Sequence, residues 1–247
     1  MCTVSLIPVE GGYRLLHSRD ELRARSPGAP PSELAVGDRR AIAPRDPDAG
    51  GTWLALRCDG ATFAITNVNP EPAPSKPHAP ISRGSLVDGM LALEPEPGAV
   101  GPWVRSRDLM RLACFRAILV EPAGRAWSWV WDGASLAEET TGEMGPVVWV
   151  SSGLGDSKVE PRVPLFASML AADPTPERQD AFHRHIWEDR PEISVLMARE
   201  DARTVSIASA ERVRDRLSMD YREIHDHPER RTDRPGPAGD LVRVVLA

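Results

Sequence analysis

Long apolar runs are missing from this 247-residue chain. No stretch approaches the roughly 20 consecutive apolar residues that a membrane-spanning helix needs. The apolar start from Cys2 to Val9 is short and has no basic segment before it, unlike a signal peptide. The expectation is a cytoplasmic protein with no integral membrane segment. Cysteine is scarce as well: Cys2, Cys58 and Cys114 are an odd number without C-x-x-C spacing. That pattern argues against a disulfide framework or a structural zinc site and leaves reduced thiols. Lysine is nearly absent. Lys76 and Lys158 are the only two among 30 basic residues, and with the heavy alanine and proline use this reads as codon bias rather than phosphate recognition. The net charge of −6 has the wrong sign for a general nucleic-acid binder, so no nucleic-acid partner is expected. Aromatic residues make up only 5%, but 41% hydrophobic against 27% charged residues supports a sizeable core and excludes global disorder. The length suits one domain over residues 1–247.

The chain then reads as strands around a helical middle. Alternation over residues 2–7 and 13–17, with turn chemistry between Pro8 and Gly12, predicts a hairpin. A two-residue turn at Glu10-Gly11 pairs position 2 with 19, and a later turn pairs it with 20 or 21. A second hairpin is expected over 52–57 and 61–67, turned by Asp59-Gly60. Residues 26–31 and 70–80 read as loops, 85–93 as a helix, and Pro95, Pro97 and Pro102 as breaks after it. Residues 114–121, 126–131 and 146–150 are strand-like, and 163–172 and 176–188 have helical periodicity. A third hairpin is expected from 194–198 and 204–208, followed by strands at 216–222 and 241–246 around a polar loop at 226–240. This order suggests two layered sheets with helices outside.

Cys2 carries the most chemical information. Removal of Met1 makes a chain that begins with a cysteine, so one residue supplies both a thiol and a free α-amine. The thiolate is the nucleophile, and an amine with a pKa near roughly 8 serves as its base. The hairpin brings Arg19, which favours the thiolate, and Asp20, which orients the ammonium.

Several blocks together resemble the NRDE family, also called the transport and Golgi organisation family. They are Met1-Cys2, His17-Ser18-Arg19-Asp20-Glu21 in place of Asn-Arg-Asp-Glu, and Gly50-Gly51-Thr52-Trp53-Leu54. Ala64 to Asn67, Ser82 to Val87, Ser151 to Leu154 and the Arg203-Thr204 strand resemble later blocks, so the likeness extends over roughly residues 1–222. Two positions depart, with Ser18 and Ser152 standing where the family has asparagine. The resemblance implies an α+β fold: a four-layer αββα sandwich of the N-terminal-nucleophile hydrolase type, similar in its first hairpin to penicillin V acylases and choloylglycine hydrolases. It further implies a cysteine amidohydrolase acting on a non-peptide acyl amide through a Cys2 thioester. Arg19 and Asp20 hold the nucleophile, and Asn67 contributes to stabilising the oxyanion. Ser152, Trp53 and Arg83 are expected to face the substrate, Arg83 beside a helix start where an anionic group can bind. The alternative it implies is a non-catalytic protein that binds or traffics a hydrophobic ligand such as haem or a lipid. No cofactor is implied.

Other patterns carry less. His183-x-His185 and His225-x-His227 lack the spacing and neighbours of metal ligands and read as solvated histidines, so no metal is assigned. Gly153-Leu154-Gly155 lacks the third glycine of a dinucleotide loop, and no G-x-S-x-G motif occurs.

Overall fold

The computed structural model describes residues 2–74, 80–142, 144–226 and 233–246. Met1, His227 and parts of the two expected loops, 75–79 and 227–232, lie outside them. Two antiparallel sheets are stacked. One has six strands in the order β10-β1-β2-β11-β12-β13: β1 (Cys2–Val9), β2 (Gly12–Leu22), β10 (Val147–Ser151), β11 (Ala202–Val213), β12 (Arg216–Ile224) and β13 (Ala238–Leu246). The other runs in chain order through seven: β3 (Ala29–Val36), β4 (Arg39–Arg45), β5 (Leu54–Arg57), β6 (Thr62–Asn67), β7 (Phe115–Val120), β8 (Ala126–Trp131) and β9 (Leu136–Thr140). Helices α1 (Gly84–Met90) and α2 (Pro97–Arg105) cover the seven-stranded sheet, and α3 (Arg162–Leu170) and α4 (Pro176–His183) cover the six-stranded one. This is the αββα sandwich expected from the resemblance.

The first hairpin turns on Glu10 and Gly11, the latter at φ +79°, and pairs Cys2 with Arg19. Alternation then sorts the side chains of β1 and β2 between two environments. Val4, Leu6 and Leu15 point into the apolar layer between the sheets, where Tyr13 donates its hydroxyl to the Gly60 carbonyl (2.7 Å). The opposite face carries Ile7, Ser5, Ser18 and Arg14. Ile7 packs with Phe166, Leu170, Phe182 and Val195 beneath α3 and α4.

Several expectations need correction. Residues 29–36, read partly as a proline-rich loop, form the edge strand β3, which accommodates Pro30 and Pro31 because an edge leaves N–H groups unpaired and a register shift between Ala29 and Ser32 absorbs the misfit. β4 and the opposite edge β9 were likewise not foreseen. Proline does not break α2: Pro97 sits in its first turn, where no N–H is needed, and Val100 and Val104 anchor the helix in the core across Pro102. The expected pairing of 194–198 with 204–208 shrinks to a short antiparallel turn, bridging Ala198 with Arg203 and carrying the Thr204 N–H to the Met197 carbonyl (2.9 Å), while β11 forms its long hairpin with β12. Residues 194–198 are held by burial of Val195, Met197 and Ala198 and by two side chains: Ser194 accepts from the Trp187 N–H (2.8 Å) and Thr204 accepts from the Met197 N–H (2.9 Å). α4 stops at His183 rather than 188.

Candidate active site

Cys2 is 6% exposed and lies at the head of β1 between Arg19 of β2 and Ser151 of β10. Its backbone nitrogen donates to Ser151 Oγ at 3.0 Å. The Asp20 N–H hydrogen-bonds the Cys2 sulfur. The thiol's pKa is pushed up, chiefly by burial, with the Asp20 charge acting the same way; the positive N-terminus, Arg19 and the Asp20 N–H oppose this.

Arg19 sits over the Trp53 ring, its guanidinium carbon 4.6 Å from the ring centroid, and Nη2 meets Asp46 Oδ2 at 3.0 Å and Glu21 Oε2 at 3.3 Å. Asp20 points the other way, into the helical layer. Its Oδ1 accepts from Thr204 Oγ1 (2.7 Å), and its Oδ2 faces Arg162 Nη1 at 3.9 Å without a hydrogen bond. The register of β11 shifts between Thr204 and Ser206 opposite Arg19 and Asp20, an irregularity that aims Thr204 at the carboxylate. Arg162, fully buried, also donates to Thr3 Oγ1 (2.7 Å) and to the carbonyls of Ile193 and Ser194. Burial pulls its pKa down while the charges of Asp20 and Cys2 hold it up.

A cleft of about 390 Å³ opens over Cys2. Arg19, Trp53, Asn67 and Arg83 all line it, so four of the residues singled out in the sequence share one cleft with Cys2; Asp20 borders it too. Its rim is a backbone-on-backbone contact between two of the motifs: a Cβ on Gly51 would lie 2.6 Å from the Gly84 carbonyl carbon, and one on Gly84 would lie 3.0 Å from the Thr52 nitrogen. Only glycine fits on both sides, and this close approach places Arg83 at the cleft mouth. Ser152 is not brought to the cleft. Its hydroxyl accepts from the Leu154 N–H (3.2 Å) and its N–H donates to Asp156 Oδ1 (2.9 Å), closing a local turn. Gly153 to Gly155 instead line a second, larger cavity of about 530 Å³.

Three positions at or beneath the cleft were given no role in the sequence reading or were misread in it. Ser151, one residue before Ser152, is the partner of the Cys2 nitrogen, and strand alternation from an assigned register would have found it. Arg162 carries no local signal. His183 is the clearest correction: it is fully buried, not solvated, and its Nε2 and Nδ1 lie 2.7 Å from Ser5 Oγ and Ser18 Oγ. Ser18 therefore serves a helix-to-hairpin tie beneath the site. Among the described residues no group of three or more His, Cys, Asp or Glu is placed to hold a metal, and no helix is long and apolar enough to cross a membrane.

Two stacked antiparallel sheets, helices on both outer faces and a cysteine heading the strand at the cleft define the N-terminal-nucleophile hydrolase fold. Three solved structures share it. They are a penicillin V acylase from Agrobacterium tumefaciens (TM-score 0.56, 11% identity, 90% of this chain and 83% of that one), a Caenorhabditis elegans N-acylethanolamine-hydrolyzing acid amidase (0.55, 7%, 84% and 92%), and a variant of the conjugated bile acid hydrolase from Clostridium perfringens (0.53, 10%, 98% and 92%). Within that fold, the family described as Transport and Golgi organisation 2 matches residues 1–115. The matched part holds the Cys2, Arg19-Asp20, Gly51-Thr52-Trp53, Asn67 and Arg83 blocks, whereas the later blocks read from the sequence lie beyond it. Compared by sequence with curated proteins, the chain matches none.

Proposed function

We propose that this protein is a cysteine amidohydrolase that cleaves a non-peptide acyl amide through a thioester on Cys2. The observation that carries this reading is the position of the Cys2 nitrogen, 3.0 Å from Ser151 Oγ beside the cleft. Excision of Met1 turns that nitrogen into an α-amine held on a hydrogen-bond acceptor next to its own thiol. In the first step the amine takes the thiol proton and sulfur bonds to the amide carbonyl carbon. The C–N bond then breaks and the departing amine leaves with that proton. In the second step water attacks the thioester, releasing a carboxylic acid and restoring the thiol.

Arg19 lowers the energy of the thiolate, which burial opposes. Asp20, with Oδ2 free of hydrogen bonds, holds the ammonium formed during attack. Asn67, the one carboxamide among the described residues of the cleft, donates to the oxyanion. The three structural neighbours are by name an acylase, an amidase and a hydrolase, which supports the same general chemistry at the level of fold.

One observation favours a second reading, a non-catalytic protein that binds a hydrophobic ligand: the larger cavity does not include Cys2, and burial raises the thiol's pKa. Release of primary amine from a panel of acyl amides separates the two. Turnover by the Met1-free protein that disappears in Cys2→Ala supports hydrolysis. Equal signals from both proteins, or none from either alongside a copurifying ligand, support binding.

A further inference from the structure

Three guanidinium groups reach the cleft, and they differ in how their charge is met. Arg19 is paired with Glu21 and Asp46, and Arg25 with Glu21, Asp46 and Asp48. Among the described residues no carboxylate lies within ion-pair distance of Arg83. Among the described residues its one hydrogen bond runs from Nη1 to the Cys114 carbonyl at 3.0 Å. The group is half-buried and its pKa is lowered chiefly by burial, as for a cation whose neighbours do not repay its lost hydration. At longer range Glu21, already shared by Arg19 and Arg25, holds its pKa up.

Arg83 also stands between the two cavities. With Ala113 it lines both the Cys2 cleft and the 530 Å³ cavity. The carbonyl it binds, that of Cys114, belongs to the wall of the larger cavity, and its charge is felt at the Cys2 sulfur. Beyond Arg83 that cavity has an apolar side of Leu109, Met110, Leu112, Trp131 and Leu154 and a polar side with Asn69 and Glu71, whose carboxylate accepts from the Ser157 hydroxyl. A guanidinium without a carboxylate partner among the described residues, at the neck between the Cys2 cleft and a chamber with a broad apolar side, is a receptor for a molecule with a compact anion at one end and an apolar body at the other.

We infer that the ligand of this site is an amphipathic carboxylate whose charged group pairs with Arg83 while its apolar part fills the cavity beyond. The inference rests on the amidohydrolase reading for the placement of the reacting carbonyl over Cys2, but its binding claim is testable without turnover.

The test uses the full chain carrying Cys2→Ala, titrated calorimetrically with 4-phenylbutyrate, its neutral counterpart 4-phenylbutyramide, and acetate. The carboxylate is expected to bind about tenfold or more tightly than the neutral amide, as a charge-assisted pair requires. Arg83→Gln should remove that preference and Arg83→Lys should keep part of it. Acetate, lacking the apolar body, should bind at least about tenfold more weakly than phenylbutyrate. Equal affinity for carboxylate and amide, an unchanged preference in a folded Arg83→Gln protein, or no binding of either aromatic probe overturns the inference. Acetate binding as tightly as phenylbutyrate overturns its apolar half. Absence of amide turnover together with an Arg83-dependent carboxylate preference sinks the hydrolase reading and leaves this one standing.

Discussion

Ser151 Oγ lies 3.0 Å from the backbone nitrogen of Cys2, across the β1–β10 pairing and 149 residues away in sequence. The same hydroxyl approaches the Cys2 carbonyl at 3.4 Å, so it grips both polar groups of the residue. A chain terminus is ordinarily free to fray. Here the central β1 strand and this hydroxyl fix it.

Ser151→Ala removes that acceptor and leaves the Cys2 N–H buried without a partner. The expected loss is about 1–3 kcal/mol in unfolding free energy, read from urea denaturation. Ser152→Ala, whose hydroxyl only caps a local turn, should lose less. Equal effects would show that the Ser151 contact has no special weight.

The thiol responds to what the N-terminus carries. With Met1 in place, burial raises the Cys2 pKa and the terminal positive charge lowers it. Excision moves that charge onto Cys2 itself, so limiting iodoacetamide at pH 6.5 should label Cys2 at least about tenfold faster in the Met1-free chain, equivalent to one pKa unit. Peptide mass spectrometry reads this, with the exposed Cys58 as internal reference. Identical labelling of the two chains would count against the amine as base.

Arg162 and Asp20 are buried together, 1% and 2% exposed. Arg162→Met leaves the carboxylate uncompensated and should destabilise by about 3–5 kcal/mol. Adding Asp20→Asn should recover a measurable part of that loss, because no unpaired charge then remains. A double variant as unstable as the sum of the singles would show that the two charges are uncoupled.

Histidine burial sets a pH dependence. Burial lowers His17 from 6.5 to about 4 and holds His183 well below 6.5. Both are neutral in the folded protein, whereas the unfolded chain takes up protons once pH drops below 6.5. Their contribution is therefore complete above pH 6.5 and declines as pH falls towards 4, by at most about 1.4 kcal/mol per pH unit for each ring. Urea midpoints at pH 7.5, 5.5 and 4.5 should fall in that order, and His17→Gln should flatten the slope. A slope unchanged by that substitution would assign the effect to other groups.

Much of this site is local in origin and so was legible before folding. The Glu10-Gly11 turn fixes the register of the first hairpin, and that register alone places Arg19 across from Cys2 and sends Asp20 to the other face. The glycines of the 50–52 and 82–84 blocks are visible as motifs, but their reason is a contact between backbones far apart in sequence. Strand edges were harder to read, because β3 and β9 satisfy pairing on one side only and therefore tolerate proline and charge that an interior strand excludes.

By itself the sequence determined a cysteine at position 2, an arginine and an aspartate on the paired strand, and a core large enough for two sheets, because turn chemistry and period-two alternation act between near neighbours. Only the tertiary structure decided that Ser151 rather than Ser152 meets Cys2, that Arg162 underlies Asp20, that His183 is buried between Ser5 and Ser18, and that among the described residues Arg19 and Arg25 pair with carboxylates in the cleft while Arg83 does not. Each of those depends on strands and helices meeting across the sandwich, where burial and the neighbouring charge, rather than residue type, set what a side chain can do.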